Sequence, residues 1–95
     1  MAAVFSVEEF MFVFANTRDA IEGEKRLLAA GLAVGVMPLP GGVGAGCGIC
    51  LRVSPGDLEQ ARSVPEFRFQ EIYAVRRPAD GVEAPGKKVF TLWNP

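Results

Sequence analysis

Apolar and polar positions alternate along the chain in an order that predicts strand, helix, strand, strand, helix, strand. Phe10-Met11-Phe12-Val13-Phe14 is a continuous apolar run. It is too short for a helix and suits a strand buried on both faces. Asn16 or Thr17 can cap a helix, with Asp19 near its positive end. Ala20, Ile21, Leu27 and Leu28 then share one side at helical spacing, with Glu22, Lys25 and Arg26 outside. Gly31 follows the last apolar pair and predicts the stop.

Residues 32–37 predict a second strand, closed by Pro38 and Pro40. The run Gly41-Gly42-Val43-Gly44-Ala45-Gly46 predicts a loop. Residues 49–53 alternate with period two, so Ile49, Leu51 and Val53 point to one face and Cys50 and Arg52 to the other. Ser54-Pro55-Gly56-Asp57 is a helix start, with serine as cap and proline at the first position. Leu58, Ala61 and Arg62 continue that helix until Pro65. Residues 67–75 open with strict alternation and predict the last core strand. A loop rich in proline and glycine follows, and residues 89–93 can form one more strand.

This order is that of an α+β, ferredoxin-like βαββαβ sandwich: an antiparallel sheet with both helices on one face and the other face open. Cys50 and Arg52 are expected on the open face. Residues 1–75 read as a single domain and residues 76–95 as a C-terminal extension carrying the strand at 89–93.

Composition narrows the function classes. A chain of 95 residues, 49% hydrophobic and 22% charged, suits one globular domain. A net charge of −1 gives no electrostatic ground for a nucleic-acid partner. Arg76-Arg77 and Lys87-Lys88 read as solvated surface. Glu8-Glu9 interrupt the apolar start, and no basic segment precedes it, so a signal peptide is not expected. No stretch approaches the roughly 20 apolar residues of a membrane helix. The expectation is a cytoplasmic protein, where thiols stay mostly reduced.

Candidate chemistry concentrates on sulfur. Cys47 and Cys50 are the only cysteines, and there is no histidine. The commonest general base and metal ligand is therefore missing. Cys47 lies between Gly46 and Gly48. Gly44, Gly46 and Gly48 permit backbone N–H groups to converge on a thiolate, and Arg52 can add positive charge. The loop lacks the lysine and Ser/Thr of a Walker phosphate loop. Glu22, Glu24 and Asp57 read as helix-surface or capping residues, and Tyr73 and Trp93 as packing residues.

The residues from Phe12 to Tyr73 resemble a family of selenium/sulfur carrier-like proteins. The resemblance rests on Glu24-Lys25 with Leu27-Leu28 and Gly31, on Met37-Pro38, and above all on Cys47-Gly48-Ile49-Cys50-Leu51-Arg52-Val53 before Pro55, Asp57, Leu58 and Glu59. In that family a cysteine followed by glycine begins the third strand, and Cys47 takes that place. The resemblance implies a thiol that carries sulfane sulfur or selenium. Two positions depart from the family pattern. Ala45 and Gly46 stand where small hydroxyl residues are common, and Cys50 stands where a small apolar residue is usual. The second departure brings in dithiol chemistry.

Several readings stay open at this level. Cys47 is either a reactive acceptor thiol, with Cys50 as a resolving thiol, or a small residue packed beside a tight loop. Zinc would need two further ligands, from carboxylates or from the thiols of a second copy. A disulfide needs Cα atoms within about 7 Å. Extended chain from 47 to 50 spans about 10 Å, so Gly48 would have to bend. The favoured reading is a carrier or accessory protein, needing no cofactor or metal. Its partners are a protein donor and a protein acceptor, with no nucleic acid and no membrane, and it is expected to form homo-oligomers. The alternative is an interaction module that binds through its open sheet face or its tail strand.

Overall fold

A computed structural model of the chain describes residues 5–40, 48–78 and 89–93. Its elements are β1 (Phe5–Val13), α1 (Thr17–Ala29), β2 (Gly35–Pro38), β3 (Ile49–Val53), a 3-10 turn (Pro55–Asp57), α2 (Leu58–Arg62), β4 (Glu71–Pro78) and β5 (Val89–Leu92). The strands form one antiparallel sheet in the order β2-β3-β1-β4-β5. The α+β class is as expected. The fifth strand makes the order differ from that of a four-stranded ferredoxin-like sheet.

The first helix starts and stops as its sequence dictates. The Asn16 side chain accepts a hydrogen bond from the Asp19 N–H at 2.8 Å, satisfying one of the unpaired donors of the first turn. At the other end Gly31 has φ +88°. The Gly31 N–H donates to Leu28 O at 3.0 Å and the Leu32 N–H to Leu27 O at 3.1 Å. This is a Schellman closure, which needs a left-handed residue at the position Gly31 occupies.

The buried side of α1 differs from the expected one. Ala20, Gly23 and Leu27 are buried, whereas Ile21 and Leu28 are 46% and 51% exposed. Gly23 sits inward because two rings occupy the space beside it. A Cβ built there would lie 2.7 Å from Phe67 Cε1 and 3.1 Å from Phe14 Cε2.

Side chains of both helices enter one core on a single face of the sheet. That core joins Phe10, Phe12, Leu51, Val53, Ile72 and Ala74 of the strands to Ala20 and Leu27 of α1 and Leu58 and Ala61 of α2. Ile49 packs against it, so the expected inward set of β3 is observed. Phe67 and Phe69 contribute rings as well. Both contact Phe12 edge-on, with centroids 5.0 Å apart.

The last core strand is shifted along the chain. Residues 67 and 69 precede β4, which begins only at Glu71. Glu66 adopts φ 60° just before them. The Gln70 N–H then donates to Val13 O at 2.7 Å, where the chain joins the sheet. Alternation at Phe67 and Phe69 therefore records two rings plugging the same core, without strand pairing.

The face away from the helices was expected to be open, and four of its residues are not. Met11, Val13, Cys50 and Val75 form a second cluster and are each 0% exposed. Leu39, Tyr73 and Phe90 pack against them. Phe90 arrives through β5, which pairs with β4 at Tyr73↔Leu92 and Val75↔Phe90. The tail strand thus folds back onto its own sheet.

Candidate functional site

The candidate thiols belong to the β2–β3 hairpin. Met37 pairs with Cys50 and Pro38 with Ile49. One step beyond, the Leu39 N–H donates to Gly48 O at 2.9 Å. Gly48 is exposed, and a Cβ there would meet nothing within 4 Å. Its glycine is therefore not required by crowding. Cys47, Gly44 and Gly46 lie outside the described residues. Cys47 is joined covalently to Gly48, at the head of β3.

Cys50 occupies a different environment. It lies across from Val13 on one side and Met37 on the other. It is 0% exposed, and its thiol donates to Pro38 O at 3.9 Å, a long contact for a weak donor. Reactive thiols need access and an electropositive setting. Cys50 is set among Met11, Val13 and Val75 instead. Its side chain fills the sheet's second face as a small hydrophobe would.

Arg52 shares that face but faces a partner sequence reasoning did not supply. Its guanidinium donates to Glu9 Oε2 at 3.2 Å, with the two side chains 14% and 25% exposed. The partners are far apart in sequence and meet because β3 lies against β1, with Arg52 opposite Met11. Nothing local in the sequence singles out Glu9. The positive charge offered to a thiolate is already engaged by a carboxylate.

Among the described residues, no three His, Cys, Asp or Glu side chains converge as a metal site. No described helix is long and apolar enough to cross a membrane.

Two comparisons fit this hairpin-centred domain. Residues 9–73 match the family described as "Putative Se/S carrier protein-like", and the chain belongs to that family. It is also 36% identical over 76 residues to "Uncharacterized protein YtiA" of Escherichia coli (strain K12), covering 80% of this chain and 86% of that protein. No solved structure matches the chain.

Proposed function

We propose that the protein is a carrier of sulfane sulfur or selenium, with Cys47 as the acceptor thiol. The observation that carries this reading is the contrast within the hairpin. The residue after Cys47 is exposed, while the second thiol is fully buried. Family membership supports the same chemistry. A single-thiol carrier is therefore favoured over a dithiol, with Cys50 a packing residue in the resting fold.

The transfer step balances without an added oxidant. The Cys47 thiolate attacks the outer sulfur of a persulfide on a donor protein. A new S–S bond forms at Cys47, and the donor's inner sulfur leaves as a thiolate. Delivery repeats the exchange, with an acceptor thiolate attacking the outer sulfur and Cys47 leaving as a thiolate. The partners are thus a donor and an acceptor protein in the reducing cytoplasm.

The scaffold for this role is read as a ferredoxin-like βαββαβ unit with β5 appended. Support comes from the element order and from the single core shared by both helices. The family match ends at Tyr73. That favours residues 1–75 as the unit and 76–95 as an extension, whose β5 lies on β4.

Intact mass measurement after incubation with a persulfide donor tests the proposal. Gain of one sulfur atom, lost in Cys47→Ser and retained in Cys50→Ala, is the expected result. Absence of an adduct on the folded wild-type protein, or an adduct that follows Cys50, would overturn it.

A further inference from the structure

We propose that the groove between α1 and the segment that follows α2 binds a free α-amino acid, its carboxylate held by Arg18 and Arg68 and its ammonium by Glu22. This inference stands independently of the thiol chemistry. The groove encloses about 250 Å³, and all six residues that line it are charged: Arg18, Asp19, Glu22 and Arg26 from α1, Glu66 and Arg68 from the opposite wall. Both walls are anchored from beneath. Phe67, between Glu66 and Arg68, is buried and lies against the Gly23 position of α1.

Half of these charges are already engaged. Arg26 donates to Glu66 Oε1 at 3.0 Å across the groove. Glu66 makes this contact from a left-handed conformation, φ 60°, which residues with a Cβ rarely adopt and which is often retained at ligand clamps. The Asp19 carboxylate accepts from Asn16 Nδ2 at 3.3 Å, beside the helix cap. The side chains of Arg18, Glu22 and Arg68 have no ion pair or hydrogen bond among the described residues. Helix geometry accounts for Glu22. Residues 18, 22 and 26 stand four apart on one face of α1. A carboxylate pairs best with a cation four residues after it, which here is Arg26, but Arg26 is turned to Glu66. Arg18 precedes Glu22, which is the poorer order.

The unengaged charges select the ligand. A simple oxyanion drawn to Arg18 and Arg68 would meet Glu22 as a like charge. A simple cation drawn to Glu22 would meet two guanidiniums. A ligand carrying both signs satisfies all three side chains. Arg18 and Glu22, one helical turn apart, have Cβ atoms about 5–6 Å from each other, so the two charges of the ligand must also be close. In an α-amino acid the ammonium and carboxylate share one carbon, which meets that condition. A guanidinium holds a carboxylate through two parallel N–H bonds, and an ammonium donates to a carboxylate.

Size and lining narrow the class further. At ~30 Å³ per water the groove has room for about eight waters, so a small amino acid fits whole. No apolar side chain lines it, which suits a ligand with a short polar side chain or none. The carboxylates here do not gather as a metal site among the described residues.

Isothermal titration calorimetry of the full chain at fixed ionic strength tests the site with glycine, L-serine and two analogues of serine. Ethanolamine lacks the carboxylate, and β-hydroxypropionate lacks the ammonium. L-Serine is expected to bind saturably at millimolar concentration or below, and each analogue about tenfold more weakly. Glu22→Gln should weaken serine about tenfold without weakening β-hydroxypropionate, whereas Arg68→Met should weaken both. Far-UV circular dichroism controls for folding, and all three side chains are exposed, so both variants are expected to fold. Should Arg68→Met not fold, Arg18→Met is expected to show the same loss. Absence of saturable binding by both amino acids, an analogue that binds as tightly as L-serine, or a serine affinity unmoved by Glu22→Gln or by the arginine variants would overturn the proposal.

Discussion

Phe67 rests against α1 where Gly23 has no side chain, its Cε1 only 2.7 Å from the position a Cβ would take. The ring cannot simply swing aside. It is also packed on Phe12 and Phe14, with centroids 5.0 and 5.7 Å away. Alanine ordinarily stabilises a helix interior by about 1 kcal/mol over glycine. Here overpacking, typically about 1–3 kcal/mol, opposes that gain. Gly23→Ala should therefore lower stability in denaturant unfolding. Combining it with Phe67→Leu should cost less than the sum of the two. Additive losses would show that the contact does not govern the site.

Gly31 offers a contrasting glycine. It has φ +88° and nothing within 4 Å of a Cβ. Gly31→Ala should cost about 1 kcal/mol from backbone conformation alone. Gly31→Asn should cost less, since asparagine tolerates the left-handed region better. Equal losses for both would point to a contact and away from conformation.

The two thiols should differ in kinetics. Cys47 is expected to react with iodoacetamide in the folded protein, while Cys50 reacts only as fast as the sheet opens. Denaturant should erase most of the difference. Peptide mapping of the alkylated sites against time checks this, and early labelling of Cys50 would contradict its burial.

Cys50 also makes a stability prediction. Cys50→Ser places a hydroxyl among Met11, Val13 and Val75. It should cost about 1–3 kcal/mol unless the hydroxyl finds a partner. Cys50→Ala should be milder, near 1 kcal/mol for the lost contacts. Equal stability of the serine variant and wild type in urea titration would count against the buried position.

Arg52 should be a structural partner more than a thiolate stabiliser. Arg52→Met is expected to leave the alkylation rate of Cys47 within about twofold, since Glu9 already neutralises the guanidinium. A double-mutant cycle with Glu9→Gln should show coupling of about 0.5–1 kcal/mol, the range for a partly exposed pair. A tenfold fall in Cys47 reactivity would instead return Arg52 to the thiol site.

Features set by local chemistry were readable along the chain. The Asn16 cap, the Gly31 stop and the inward trio Ile49, Leu51 and Val53 each follow from neighbours a few residues away. Features set by distant packing were not. Ile21 and Leu28 have the right spacing for a core stripe, but Phe67 fills the groove beside Gly23 and rotates the buried side away from them. The alternation of Phe67 and Phe69 imitated a strand because both rings enter one core. The burial of Cys50 depends on Leu39, Tyr73 and Phe90 arriving from three places in sequence. The engagement of Arg52 by Glu9 requires β1 and β3 to be adjacent. The thiol pair was visible at once as a motif, and so was the contrast between a cysteine flanked by glycines and one inside a strand; the sheet adds the full burial of Cys50.

The bond from Leu39 N–H to Gly48 O bears on how cargo would travel. Gly48 is clamped at the head of a strand that lies second from the sheet's edge. Cys47 is one Cα step away, about 3.8 Å. On the proposed reading, a sulfur taken up by Cys47 stays within one residue of the described sheet, so a donor and an acceptor would each have to approach the domain itself at the β2–β3 hairpin. Shape around the hairpin, more than the reach of a flexible tail, would then decide which enzymes exchange cargo with it.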